Sequence, residues 1–286
     1  MSRGNMIRVF SGGVAIITGG ASGIGRGFGE ALAARGCEVV LADLQIDLAE
    51  QVAAGINSSG GRATAVEVDV VKHEQVVSVV KQTVDRCGRL DYMFNNAGIV
   101  IFGEASEFEI PDWERSIDVN LRGVIHGVDA AYRVMLKQGF GHIINTGSIA
   151  GLMPWPMEIG YSTTKHAVVG LTTALRAEAA DAGVRVSALC PGLVRTPILD
   201  GGKYGKWIRP YPKEKVAALM ESTRPFPLDK FVELALKQIA RNKAIIVIPF
   251  MYRILWRMYR LSPLLGIAMA RMLFQGMRKQ LKQFES

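Results

Sequence analysis

The chain has 286 residues, 49% hydrophobic and 21% charged, which supplies apolar side chains for a large core and excludes a disordered segment. Its net charge of +8 is unevenly placed: after Phe250 come seven basic residues against the acid Glu285, so the preceding body is nearly balanced. Three cysteines without metal-ligand spacing, four histidines with no HExxH arrangement and a start lacking an apolar stretch argue against a disulfide scaffold, a metal site and a secreted protein, and predict a reducing, cytoplasmic compartment.

From the start, short apolar runs alternate with longer helical patterns. "VAIITG" at 14–19 precedes a helix over 23–35, "EVVLAD" at 38–43 a helix over 47–58, and "ATAVEVD" at 63–69 a helix over 73–87. "DYMFNNAG" at 91–98 leads to a helix over 112–138, "HIINTGS" at 142–148 to a helix over 160–182, and "VRVSALCPG" ends the series at 184–192. Continuous Val- and Ile-rich runs separated by helix-length segments are what a parallel sheet covered on both faces requires. The predicted fold is therefore α/β, a doubly wound parallel sheet of the Rossmann type.

Beyond Pro191 the alternation stops in an irregular stretch over 192–228, rich in Gly, Pro and aromatics, with a helical pattern at 213–222. A stretch of this kind inside a compact domain reads as a substrate loop or lid. Its "KYGKWIRPYPK" interleaves basic and aromatic residues as nucleic-acid-binding segments do, but its place favours closure over a substrate, and no nucleic-acid partner is predicted. A helix near 228–242 and a strand "AIIVI" at 244–248 complete one domain over 10–250, followed by a helical extension over 251–286.

"TGGASGIG" sets Gly19, Gly23 and Gly25 between the first strand and the first helix. Glycines there allow backbone N–H groups to approach a pyrophosphate at the positive end of the helix. Asp43 closes the second strand, where a carboxylate accepts hydrogen bonds from ribose hydroxyls and repels a 2′-phosphate, and neither Ser22 nor Leu44 offers a compensating base. NAD is thus predicted over NADP. Asp69, ending the third strand, is in line either to touch the adenine or to cap a helix.

Tyr161 and Lys165 in "YSTTK" are four apart at the start of a helical pattern and share a face. An ammonium beside a phenol favours the phenolate, and the charge of an oxidised nicotinamide adds to the effect. Tyr161 could then exchange a proton with an alcohol or carbonyl, with Ser148 hydrogen-bonding the same oxygen.

These motifs in this order, "TGGASGIG", Asp43, "DV" at 69–70, "NNAG" at 95–98, Asn120, Ser148, "YSTTK" and "PG" at 191–192, resemble those of the short-chain dehydrogenases/reductases over about residues 10–250. The resemblance implies a catalytic tetrad of Asn120, Ser148, Tyr161 and Lys165. In it Tyr161 is the acid/base, Ser148 positions the reacting oxygen, Lys165 binds the nicotinamide ribose and lowers the tyrosine pKa, and Asn120 supports a water-linked proton relay. It further implies cofactor contacts from Gly19, Ser22, Gly23, Ile24, Gly25, Asp43, Asp69, Val70, Asn96, Ala97 and Gly98. Tyr161, Lys165, Pro191, Gly192, Val194 and Thr196 complete the set, while Asn95 steadies the sheet. Resemblance in the helices at 112–138 and 160–182 implies a homodimer or homotetramer.

The segments that differ between family members set the substrate. Ile99, Val100, Phe102, Leu152, Trp155 and Met157 are apolar, which suits a lipophilic secondary alcohol or its ketone: steroid-like, terpenoid, aromatic or long-chain. Glu158 is the charged exception and has no assignment from sequence. A 3-oxoacyl-thioester reductase is the alternative enzyme, which Asp43 disfavours, and a non-catalytic cofactor-binding protein at a lipid surface is the alternative of another kind. In "FMYRILWRMYRL" at 250–261, a helix would gather Arg253, Arg257 and Arg260 into one stripe flanked by aromatics. That pattern fits peripheral contact of 251–286 with an anionic membrane, packing against a partner subunit, or cover for the chain's own core.

Overall fold

The computed structural model describes residues 9–200 and 204–284. The start at 1–8, residues 201–203 of the predicted lid and Glu285 of the tail lie outside the described residues. Strands and helices alternate from the start as β1 (Val14–Thr18), α1 (Gly23–Ala33), β2 (Glu38–Asp43), α2 (Ile46–Ser58), β3 (Arg62–Glu67) and α3 (His73–Cys87). The second half of the wind runs β4 (Tyr92–Asn95), β5 (Val100–Phe102), α4 (Ile110–Ile117), α5 (Gly123–Gln138), β6 (Gly141–Thr146), α6 (Ile159–Ala179) and β7 (Val184–Pro191). After it come β8 (Gly205–Trp207), α7 (Lys213–Ser222), α8 (Leu228–Ala240), β9 (Ile245–Ile248), α9 (Phe250–Leu261) and α10 (Pro263–Lys282).

The main sheet is seven-stranded in the order β3-β2-β1-β4-β6-β7-β9, and every pairing in it is parallel. This is the doubly wound sheet predicted from the alternation. Side chains along a strand point to opposite faces, and here each face has its own core. Ala15, Ile17, Tyr92 and Phe94 pack with Phe28, Leu32 and Phe231 beneath α1 and α8, whereas Ile16 and Met93 pack with Val76, Val124 and Ala131 beneath α3 and α5. Burial on both sides is why these strands read as unbroken apolar runs.

Two elements depart from the sequence reading. The helix predicted over 112–138 is interrupted by a π-helical turn at Asp118–Arg122, and the wider turn carries Asn120 into contact with the loop after β4. Within the irregular stretch, β8 pairs in parallel with β5 as a separate two-stranded sheet, and Trp207 stacks on Phe102 at 4.6 Å between ring centroids. The lid therefore has a strand, and a small core of Leu199, Val216 and Met220 under α7.

The tail folds back on the body. Tyr252, Leu255, Trp256 and Tyr259 of α9 pack on a cluster containing Ile149, Leu152, Cys190 and Val247; Arg278 of α10 pairs with Glu104 in the loop after β5 at 3.0 Å, and Phe284 just beyond α10 meets Tyr211 of the lid. Of the three arrangements open from sequence, cover for the chain's own core thus holds for the inner face. On the outer face Phe250, Met251, Ile254, Leu261 and Leu264 stay exposed. Among the described residues, no helix is long and apolar enough to cross a membrane.

Candidate active site

Strand order reverses between β1 and β4, and the carboxyl ends of β1, β4, β6 and β7 there open onto a cavity of about 700 Å³. Such a crevice is where doubly wound sheets bind ligands. Its floor is the turn into α1. Gly19 takes φ +66°, and a Cβ there would sit 3.0 Å from the Ala97 Cα, so the turn and the "NNAG" loop meet at glycine distance. Thr18 clamps that loop by accepting from the N–H groups of Asn96 and Ala97 at 3.0 and 3.1 Å.

A dinucleotide fits these residues. Ser22, Gly23 and Ile24 present the first turn of α1 to the cavity, where backbone N–H groups have no partner within the helix. At the far end Asp43 is buried, with one carboxylate oxygen accepting from Ala21 N–H at 2.9 Å and the other from Gln45 N–H at 3.0 Å. Each oxygen keeps a second lone pair for a ribose hydroxyl. The charged side chains on the wall are Asp43, Asp69, Arg115, Glu158 and Lys165. Among the described residues, no cation stands beside Asp43 on the wall to receive a 2′-phosphate. Asp69 accepts from Val71 N–H at 3.2 Å, holding the turn before α3 while bordering the cavity between Val68 and Val70.

Ser148 lies two residues beyond β6 and caps the short turn that follows, accepting from Ala150 N–H at 3.1 Å. Opposite, the start of α6 carries Tyr161 and Lys165. The lysine, 2% exposed, donates to the Thr146 carbonyl at 2.8 Å, and its Nζ lies 5.3 Å from the Tyr161 ring centroid. Burial pulls Lys165 down to about 8. Burial and then the Glu158 carboxyl push the Tyr161 phenol above its ordinary range, against a contact with Ser148 that lowers it. The lysine was expected to set the phenol low. Burial is the largest influence on the phenol, and Lys165 is not among the groups that shift it.

The structure brings most of the residues named from sequence to one cavity: Gly19, Ser22, Gly23, Ile24, Asp43, Asp69, Val70, Asn96, Ala97, Gly98, Ser148, Tyr161, Lys165, Pro191, Gly192, Val194 and Thr196, with Ile99, Val100, Phe102 and Trp155 on the apolar wall. Four lie elsewhere. Gly25 packs beneath the turn, where a Cβ would overlap the Gly19 carbonyl. Asn120 is buried behind the wall, its amide accepting from Ile99 N–H at 2.8 Å and donating to Ile99 C=O at 2.9 Å. Leu152 turns into the core under α9. Met157 borders a separate small cleft with Glu104 and Arg278. Both are apolar and lie between Ser148 and Tyr161 in the chain, but Leu152 packs against the tail and Met157 against the segment carrying Glu104 and Glu107.

Sequence reasoning missed Arg115, Tyr204 and the lid residues Ile198 and Leu199, all on the wall. Tyr204 reaches Gln45 across the mouth, its hydroxyl accepting from the Gln45 amide. The return of the lid brings Tyr204, Ile198 and Leu199 to the wall, while Arg115 reaches it from α4. Glu158, left unassigned, also borders the cavity and is buried.

Over residues 13–203 the sequence matches the family model described as short chain dehydrogenase. Cyclohexanol dehydrogenase of Acinetobacter sp. (strain SE19) is 37% identical over 210 residues, 72% of this chain and 83% of that protein. A 3-oxoacyl-(acyl-carrier-protein) reductase of Synechocystis sp. (strain ATCC 27184 / PCC 6803 / Kazusa) is 39% identical over 188 residues, covering 65% of this chain and 76% of the reductase. The crystal structure of a short chain dehydrogenase/reductase from Burkholderia phymatum in complex with NAD superposes with a TM-score of 0.81 at 30% identity, covering 91% of this chain and 96% of that one. The chain belongs to the short-chain dehydrogenases. It is an oxidoreductase of alcohols and ketones.

Proposed function

We propose that the protein is an NAD(H)-dependent dehydrogenase interconverting a lipophilic secondary alcohol and its ketone. The observation that carries this reading is the convergence of Ser148, Tyr161 and Lys165 at one end of a cavity walled by Val100, Phe102, Trp155 and Leu199, with Asp43 at the other end. Bound NAD supplies hydride acceptance at its nicotinamide, so the alcohol carbon is oxidised and the balance is alcohol plus NAD giving ketone, NADH and a proton. The chain's own residues do the rest. Ser148 and Tyr161 hold the reacting oxygen, and Tyr161 takes the hydroxyl proton. Positive charge from Lys165 and from the oxidised cofactor stabilises the phenolate that this requires. Asn120 acts indirectly, fixing Ile99 at the edge of the cavity.

NAD is preferred because the Asp43 carboxylate faces the adenosine end, and the similar NAD-bound protein supports the preference. The relative named for cyclohexanol supports a compact alicyclic or aromatic alcohol. The same reading takes the protein as a cytoplasmic homodimer or homotetramer, supported by exposed Ile125 and Leu136 on α5 and Ile159 on α6. It rests the outer face of the tail on an anionic lipid surface. There Arg253, Arg257, Arg260 and Arg271 have no carboxylate partner among the described residues and stand among exposed apolar side chains.

The test is NADH formation by purified protein across a panel of lipophilic secondary alcohols, with NAD and separately NADP. NAD-linked turnover that falls roughly 10²–10⁴-fold in Tyr161→Phe is expected. Turnover only with NADPH on a 3-oxoacyl thioester would replace this reading with that of the Synechocystis relative.

A further inference from the structure

Glu158 is a carboxyl with no evident structural task. It stands at the amino-terminal boundary of α6, three residues before Tyr161, yet its side chain makes no capping hydrogen bond to that helix. It is 8% exposed and borders the cavity. No described residue offers it a hydrogen bond or an ion pair, and burial alone displaces its titration, without any charged neighbour. Its carboxyl oxygens are not among the fully enclosed polar atoms and so meet the cavity itself; holding an acid in so sheltered a place costs folding free energy that an alanine or leucine there would avoid.

The surroundings restrict what could supply the partner. Val100, Phe102 and Trp155 are apolar, and the cavity's other charged groups do not act on Glu158: Asp43 and Asp69 belong to the adenosine end, Arg115 to α4, and Lys165 donates to Thr146. The missing partner therefore enters with the ligand. It enters close to Tyr161, because Glu158 borders the same cavity three residues before it at the start of α6.

We propose that Glu158 is the subsite for a second oxygen on the substrate, so that the preferred substrates are diols, hydroxyketones or diones on a lipophilic skeleton. One oxygen reacts at Ser148 and Tyr161 while the other pairs with the Glu158 carboxyl. This rests on the reading of Tyr161 as the proton-transfer residue. Burial raises the Glu158 pKa to about 8, so near neutral pH the group is a carboxylic acid that both donates and accepts. It therefore serves a hydroxyl or an oxo group, and does not demand a cationic substrate.

The test compares cyclohexanol with cyclohexane-1,3-diol and cyclohexane-1,4-diol in the wild-type protein, Glu158→Gln and Glu158→Leu. Two readouts run in parallel: kcat/KM with NAD, and affinity for each alcohol in the presence of NADH, followed by the fluorescence of Trp155 and its neighbours. The expected result is a preference of about tenfold or more for at least one diol over cyclohexanol. That preference is lost in Glu158→Leu and partly kept in Glu158→Gln, whatever either change does to the common rate. Equal treatment of mono-alcohol and diols by the wild-type protein, or a preference that survives in Glu158→Leu, overturns the proposal. The binding readout decides it even if no alcohol is turned over, whereas absent turnover counts against the dehydrogenase reading alone.

Discussion

Glu158, Lys165 and His142 are buried groups whose titration ties stability to pH in different windows. Glu158 moves from 4.5 to about 8, so over that interval the folded protein retains a proton that the unfolded chain has released, and stability falls as pH rises. Lys165 moves from 10.5 to about 8 and His142 from 6.5 to about 3, both through burial. In their windows the unfolded chain holds the extra proton, so stability rises with pH. The His142 window overlaps that of Glu158 with the opposite sign, which makes the difference between variants the informative quantity. Glu158→Gln is expected to gain on the wild-type protein steadily from pH 5 to 8, reaching on the order of a few kcal/mol, as followed by urea unfolding at each pH. A difference that stays flat with pH would show that Glu158 is not held protonated. At this scale the site was largely legible. Gly19, Asp43, Ser148, Tyr161 and Lys165 could be singled out by their spacing, and all five line the one cavity. Leu152 and Met157 were misplaced because composition says nothing of which way a turn faces a side chain.

Among the elements, α9 matters most to the site beyond the sheet itself. The Tyr252 ring lies against Gly192, where a Cβ would approach it to 2.2 Å, and its centroid is 6.1 Å from that of Trp155. One tail residue thus supports both the loop after β7 and an apolar wall of the cavity. Tyr252→Ala is expected to cost about 1–3 kcal/mol of stability for a half-buried ring, and to raise KM for the alcohol more than it lowers kcat. An unchanged KM in a folded variant would remove α9 from the account of the site. Sequence periodicity found this helix and its arginine stripe, yet it could not tell which flank faces inward, since aromatics line both the core and the surface. The π-helical turn at Asp118–Arg122 and the pairing of β5 with β8 were equally hidden. The first goes with contacts of Asn120 to Ile99, distant in the chain, and the second joins three-residue strands far apart in sequence, too short for any period to register.

For the whole molecule, charge and topology assign separate tasks to body and tail. The alternation of strand and helix made the fold class legible, because parallel strands buried on both faces must be continuously apolar. The return of α10 to the loop after β5 and to the lid was not legible, since it depends on contacts such as Arg278 with Glu104 and on Leu281, only 3% exposed. With the inner face so occupied, Phe250, Met251, Ile254 and Leu261 stay exposed, beside arginines that have no carboxylate partner among the described residues, and the proposed lipid contact would use this face. The full chain is expected to float with phosphatidylglycerol vesicles at low salt and to be released as salt screens the arginines. Replacing Arg253, Arg257 and Arg260 together by Gln should reduce the bound fraction several-fold. Protein that stays unbound at low salt would leave the outer face to another copy of the chain.

The most direct measurement of the central claim is NADH formation by the wild-type protein and Tyr161→Phe side by side, with NAD binding followed in both. The account predicts NAD-linked turnover of a lipophilic secondary alcohol in the first, its near loss in the second, and cofactor affinity retained in both, because the dinucleotide is held mainly by the α1 turn and Asp43. Equal turnover in the two proteins would contradict the assignment of proton transfer to Tyr161, and with it the reading of this cavity as an alcohol dehydrogenase site.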